Sequence, residues 1–461
     1  MTTSDTTPVA HQWPDVAAVW RWHFYAGLFC IPFVIWLSLT GSLYVFKPQI
    51  EALIDAPYDT LPRSGPDLAP SAWATAALAA VPGARIDALE VPPTAASAPR
   101  VLLRRNGDLV RVYVHPETAV VLKVVNEDDR LMKQIAFLHG KLGVGDPGSW
   151  LVETAACWTL VMLLTGVYLW WPRTRAGLAG VLMPRLTAGQ RTFWRDLHAV
   201  TGIWICLLAV FLILSGLPWA KNWGGYLKEV RQLTGTADGP QDWSTGRADE
   251  RRARMEADAG GHAAHAPDQG TSPMALQAQA LDRLVPEVPA LGLAPPVLVS
   301  PPTQKTPAWT IRSEAQNRTL RSTLSYDPVT LELIGQRHFA DRHPIDRIVG
   351  VGISAHEGQL FGWPNQVLSL LAAFGLLLLS TSAVVLWWRR RPQGTLGAPA
   401  PRAAPRLAAG LVIIVAVLGV LFPLFGASLL AILALERALL QRFEASRTWL
   451  GLRTRHQTSS P

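Results

Sequence analysis

An α-helical membrane protein carrying two small α+β modules outside the bilayer is the fold class predicted by this sequence of 461 residues. Three observations predict it. The composition is 49% apolar and only 16% charged, with a positive mean hydropathy, a balance suited to a chain that meets hydrocarbon. Four windows, Trp22 to Phe46, Trp150 to Trp171, Ala199 to Ala220 and Val367 to Trp388, lack charged side chains over most of their length. Each reaches the roughly 20 residues that about 30 Å of hydrocarbon requires. Finally, histidines, glycines and tryptophans recur in a frame that reads the same way twice.

In chain order, a cytoplasmic tail at 1–19 precedes a first span at 20–46, which is too long for a cleaved signal peptide and lacks a small-residue cleavage site. Residues 47–149 form the first exported module. Within it, Ser71 to Val81 is helix-like, and "VYVHPETAVVLKV" from Val112 reads as a strand, a Pro-x-Thr turn and a returning strand with β-branched alternation. A second span covers 150–171. The loop at 172–197 carries Arg173, Arg175, Arg185, Arg191 and Arg195 against one acid, so it reads as cytoplasmic.

A third span at 198–220 leads to the second module at 221–364, with a helix-like stretch from Met274 to Val285 and "LSYDPVTLELIGQ" from Leu324. Its insertion, roughly Thr234 to Ser272, is rich in Gly, Asp, Ala and Arg and reads as disordered. His262 and His265 inside it read as solvated linker rather than metal capture. A fourth span at 365–388 ends in "WWRRRP", and 389–406 is again cytoplasmic. The two modules therefore lie outside, since long loops translocate largely regardless of their charge. Trp170, Trp171, Trp387 and Trp388 fall where an aromatic belt is expected.

The last apolar tract, 407–435, is interrupted by "FPLFG" at Phe422 to Gly426. A single kinked span is the preferred reading. Two half-spans folding back at Pro423 would return the basic tail at 436–461, with Arg437, Arg442, Arg447, Arg453 and Arg455, to the cytoplasm. Cys30, Cys157 and Cys206 all fall within spans and read as small apolar core residues. The net charge of +8 is explained by arginine at membrane faces and gives no argument for nucleic acid.

The repeat carries the chemistry. "RWHFYAG" aligns with "RDLHAVTG", each with a glycine four residues after the histidine: His23 to Gly27 and His198 to Gly202. Thr40 and Gly41 then match Ser215 and Gly216, at the same distance from their histidines. "LHGKLG" aligns with "AHEGQLFG", and "TGVYLWWPR" with "SAVVLWWRR", so His139 and His356 stand equally far before Trp170 and Trp387. A tandem duplication of span, exported module, span is the economical reading, and both halves start in the cytoplasm.

A lone histidine at a span boundary is usually an interfacial or hydrogen-bonded polar residue. Four at matched places are different. By the orientation above, His23 and His198 open spans at the cytoplasmic face, and His139 and His356 precede spans at the outer face. A planar haem can be clamped between two neutral imidazoles that bind its iron from opposite faces, so one pair on each side of the bilayer suits one haem per side. Gly27, Gly202, Gly140 and Gly358 would let a ring approach the backbone. Arg21 and Arg195 could meet haem propionates or serve only as topology signals. Zinc normally takes three or four ligands, and no Asp, Glu or Cys accompanies either pair. A proton relay would need ionisable groups through the membrane middle, where the spans offer almost nothing apart from Glu153.

The His-bearing first span, the exported module with its Pro-x-Thr turn, "LHG" before a span ending "GVYLWWPR", and a second copy ending "VVLWWRRRP" resemble the PepSY-associated transmembrane family over about Trp20 to Pro392. That family includes bacterial inner-membrane proteins linked to iron uptake, some of them ferric-siderophore reductases. The resemblance implies a four-span core with two b-type haems on His23, His198, His139 and His356. It also implies electron flow from the cytoplasmic side to a ferric siderophore, or another periplasmic acceptor, outside. The second module departs from the first in having Asp327 where the first has His115. No Gly-rich dinucleotide fingerprint, flavin domain or cysteine cluster is present, so the expected donor is a quinol or a separate reductase. Trp150 and Trp363 are expected at the outer face, as anchors or as contacts of the outer haem. The alternative reading is a membrane-tethered sensor or peptidase-regulating protein without redox activity, since PepSY-type modules are also associated with restraining peptidases. A transporter with inverted repeats is disfavoured by the parallel repeat.

Overall fold

The computed structural model describes residues 16–172, 177–237, 273–303, 306–399 and 409–452. The predicted insertion from residue 238 onward, with His262 and His265, lies outside the described residues, as do Arg173, Arg175, Arg453 and Arg455. In chain order the helices and strands are α1 (Val16–Val45), α2 (Lys47–Asp59), α3 (Pro70–Ala80), β1 (Arg85–Glu90), β2 (Arg100–Arg105), β3 (Asp108–Val114), β4 (Val121–Asn126), α4 (Leu131–Lys141), α5 (Asp146–Trp170) and α6 (Gln190–Gly216). They continue with α7 (Lys221–Leu233), α8 (Pro273–Leu284), β5 (Val297–Ser300), β6 (Trp309–Ser313), β7 (Ser322–Tyr326), β8 (Leu333–His338), α9 (Pro344–His356), α10 (Trp363–Arg390), α11 (Ala409–Leu421), α12 (Pro423–Leu435) and α13 (Glu444–Leu450). Two compact units result. One comprises Met1–Leu39, Pro147–Leu217 and Leu371–Pro461, and the other Thr40–Asp146 and Pro218–Leu370.

Among the described residues, five helices are long and apolar enough to cross a bilayer: α1, α5, α6 with its extension to Trp219, α10, and α12 with its extension to Leu440. The protein is a multi-pass membrane protein. Large apolar side chains on these helices, among them Leu207, Trp204 and Phe374, are exposed, which suits hydrocarbon and would be unfavourable in water. Helix α1 begins at Val16 and α6 at Gln190, ahead of the predicted span boundaries at 20 and 198. A helix propagates through polar residues once nucleated, and Gly189, at φ +80°, supplies the stop before α6. His23 and His198 therefore lie inside helices rather than at their mouths.

The tract at 407–435 differs from the preferred single span. It divides into α11 and α12 at Phe422, whose backbone is non-helical at φ −128° and ψ 83°. Pro423 disfavours a helical conformation at the residue before it and lacks the N–H of the next turn. The chain folds back there: a Cβ added to Gly426 would lie 3.1 Å from the Cα of Gly419, seven residues earlier, whereas one straight helix would separate those positions by about 10 Å.

The second unit holds an eight-stranded antiparallel sheet in the order β4-β3-β2-β1-β5-β6-β7-β8. The expected strand–turn–strand pairs are present as β3–β4 and β7–β8, and α3 and α8 occupy the two helix-like stretches. In the equivalent turns, His115 Nδ1 accepts from the Glu117 N–H and Asp327 Oδ1 from the N–H groups of Val329 and Thr330, so the two unlike residues perform the same local closure. The expectation of two separate modules is corrected by the pairing of β1 with β5 through Leu89 with Val299 and Glu90 with Leu298. One core follows. Trp73, Ala77, Leu281 and Leu284 from α3 and α8 pack with Leu89, Val101, Val112, Val299 and Ile311 from both halves of the sheet. Alternation along β2 and β3 turns Arg100, Arg111 and Tyr113 to the opposite face. There Arg100 meets Asp59 at 2.8 Å, Arg111 meets Glu90 and Glu127, and the Tyr113 hydroxyl donates to Asp55 at 2.9 Å.

Candidate functional site

Within the first unit, α1 and α6 bring His23 and His198 together. Their ring centres are 6.4 Å apart and the ring planes cross at 82°. The Nδ1 atom of His23 lies 3.1 Å from both the Met162 carbonyl oxygen and Thr165 Oγ1 on α5. His198 repeats the arrangement against α10, with Nδ1 3.2 Å from the Leu379 carbonyl and 3.1 Å from Ser382 Oγ. A carbonyl can only accept, so each Nδ1 donates its proton there and each Nε2 keeps a free lone pair. This is the orienting arrangement that fixes the tautomer of a metal-ligating histidine.

Within the second unit, His139 of α4 and His356, the last residue of α9, form the other pair. Their ring centres are 6.5 Å apart with planes crossing at 78°. His139 Nδ1 lies 2.9 Å from Thr40 Oγ1. Trp219 stands edge-on to His356 at 5.9 Å between ring centres. Arg318, bonded to Glu357 at 3.1 Å, lies over that indole at 5.6 Å.

Both separations fit an iron atom between the rings. With a metal–nitrogen bond of about 2.0 Å and about 1.1 Å from nitrogen to ring centre, two imidazoles that share one metal ion have centres about 6.2 Å apart. The donor set fits as well, since bis-imidazole ligation uses two neutral nitrogens and no carboxylate. Among the described residues, no group of three or more His, Cys, Asp or Glu is placed to hold a metal ion. All three cysteines are free, with Cys30 and Cys157 buried.

The glycines divide by role. A Cβ on Gly166 would lie 3.2 Å from Cε1 of His23, and one on Gly41 would lie 3.2 Å from Cε1 of His139. These two clear room for imidazoles. Of the predicted four, Gly27 and Gly202 instead face Met162 and Leu379 at 3.6 and 3.5 Å, Gly358 faces Val45, and Gly140 meets nothing within 4 Å. Arg21 and Arg195 have protein partners here: Arg21 donates to the Pro399 carbonyl at 2.6 Å, and Arg195 pairs with Asp196 at 2.7 Å. Trp150 and Trp363, at or near the starts of α5 and α10, are exposed. Glu153 is fully buried in α5.

Sequence reasoning missed Thr165, Ser382, Met162, Leu379, Thr40, Trp219 and the imidazole contacts of Gly166 and Gly41. A signal for several was present. Thr165 and Ser382 open the aligned segments "TGVYLWWPR" and "SAVVLWWRR", and Thr40–Gly41 and Thr165–Gly166 are the same dipeptide.

Residues 20–390 match a family model described as the PepSY-associated TM region. A comparison with curated proteins finds no match. The matched segment contains all four histidines and both pairs' hydrogen-bonding partners, and the chain belongs to the PepSY-associated TM family.

Proposed function

We propose that this member of the PepSY-associated TM family is a bacterial inner-membrane electron-transfer protein. It binds two haem b groups, one at His23 and His198 and the other at His139 and His356, and reduces a ferric siderophore at the periplasmic face. The supporting observation is the pair of histidine separations, 6.4 and 6.5 Å, each close to that of two axial imidazoles.

Haem b at these positions supplies reversible one-electron transfer. The chain supplies the rest. Thr165 and Met162 hold the His23 ring, Ser382 and Leu379 hold the His198 ring, and Thr40 holds that of His139. Hydrogen bonding at Nδ1 raises the basicity of Nε2 and prevents the ring from rotating away. Gly166 and Gly41 admit the imidazole edges, and the apolar spans exclude water around the inner pair. A bilayer of about 30 Å is too thick for one site to serve both faces, which is the reason for two. Electrons enter from a quinol or a separate reductase. Delivery of one electron to a ferric chelate unloads it, because hard oxygen ligands hold Fe(II) far less tightly than Fe(III).

The test is spectroscopic. The protein purified in mild detergent is expected to show b-type haem bands that sharpen on dithionite reduction. A colourless protein would refute this function and leave the peptidase-regulating alternative.

A further inference from the structure

The first unit contains a cavity of about 620 Å³, a volume in the range of small-molecule sites. Its walls include Trp20 at the start of α1, Arg390 at the end of α10, and Glu444, Arg447, Thr448 and Trp449 of α13. The last four lie beyond the segment matched by the family, which ends at residue 390. The fold draws them inward. Leu396 N–H donates to the Trp449 carbonyl at 2.8 Å, Tyr25 OH to the Leu450 carbonyl at 2.5 Å, and Trp387 Nε1–H to the Leu396 carbonyl at 2.8 Å.

We propose that this cavity is the binding site of a quinol headgroup, the electron donor to the His23–His198 pair. Three observations carry the assignment. First, the walls suit a flat, weakly polar ring: two indoles line the cavity, and the Arg390 guanidinium lies over Trp20 at 4.5 Å from the ring centre. Second, the polar groups are few and complementary. Arg447 Nε is buried and makes no hydrogen bond, which offers a donor to a quinone carbonyl oxygen, and Glu444 offers a carboxylate to receive a phenolic proton. Third, Trp20 and His23 are three residues apart on α1, which places them on one helix face about 5–6 Å apart at Cβ.

A nicotinamide nucleotide fits less well, because it delivers a hydride and the His23–His198 site takes single electrons. Oxidation of one quinol breaks two O–H bonds and yields the quinone, two protons and two electrons. Glu444 accepts the first proton and water the second. His23 and His198 would hold the haem that takes these electrons one at a time, the first passing onward to the acceptor before the second arrives. This assignment of the donor rests on the haem reading above.

Photoaffinity labelling of the full-length protein in detergent with an azido-ubiquinone tests the cavity without reference to haem. The label is expected on peptides containing Trp20 or residues 444–452, and excess ubiquinone should compete it away. Labelling confined to other segments, or uncompeted, overturns the site. In the second arm, Arg447→Leu and Glu444→Gln are expected to keep the haem content and dithionite spectrum of the parent. Both should slow haem reduction by duroquinol by about tenfold or more, the loss expected for removing a hydrogen bond to a charged group. Parent-like rates in both variants overturn the proposal. A protein without haem would refute the proposed function, and the photolabel would still decide the cavity.

Discussion

Gly166 is the position at which a single methyl group separates the site from the fold. In Gly166→Ala the added carbon stands 3.2 Å from Cε1 of His23, about 0.4 Å inside the roughly 3.6 Å at which two carbons rest. The imidazole cannot simply swing aside, because Met162 and Thr165 hold its Nδ1 at 3.1 Å from the same helix. Overpacking of this kind costs about 1–3 kcal/mol, which is roughly 5- to 150-fold in an equilibrium constant at 1.36 kcal/mol per decade. The same substitution favours the helix by up to about 1 kcal/mol, which offsets part of that cost, so the melting temperature should change little or fall slightly. Haem transfer to excess apomyoglobin reads the site directly. One of two haems is expected to leave faster by roughly 5- to 150-fold, with the other at the parent rate. Unchanged loss from both sites would refute the claim that Gly166 clears space for the ligand. Faster loss from both would refute the independence of the two pairs.

The remaining predictions use other parts of the chain. His23→Ala and His139→Ala should each remove half of the haem measured as pyridine haemochrome, and loss of none or of all would contradict two self-contained pairs. Arg231, 1% exposed, meets Asp346 at 2.6 and 2.8 Å. Arg231→Met leaves that carboxylate buried alone, which should destabilise by about 3–5 kcal/mol and lower Tm by about 3–5 °C; the added change Asp346→Leu should restore most of it. Burial pushes Glu127 up, yet Arg111 and Arg130 overcome it and hold its carboxyl at about 2. A depressed carboxyl stabilises the fold above its unfolded value of roughly 4.3 and loses that contribution as pH falls towards about 2. Acid unfolding followed by tryptophan fluorescence should accordingly be shallower over that window in Glu127→Gln.

The spans were legible because hydrocarbon imposes a length and a composition that few other environments impose, and the four histidines because a duplicated frame turned isolated residues into pairs. Three features were not legible, each for a physical reason. The β1–β5 join rests on two residue pairs held by backbone hydrogen bonds, which any side chain permits. The reversal at Phe422 depends on the close approach of Gly419 and Gly426, whereas Pro423 alone is compatible with a kink. The hydroxyls of Thr165 and Ser382 were visible as letters of the repeat, but their partners lie on other helices, and only packing shows which face meets His23 or His198.

The fused sheet has a consequence for how the polypeptide is made. Strand β1 emerges early, and its partner β5 follows about two hundred residues later, after two long apolar helices have intervened. Until then β1 presents an open row of backbone donors and acceptors, the kind of edge that recruits foreign strands. Leu89 and Val101 likewise wait for Val299 and Ile311 to complete their packing. Contacts so distant in sequence close slowly. Synthesis of this protein therefore includes an interval in which its first half is sticky and half-built, and a chaperone that guards strand edges would act before the second half arrives.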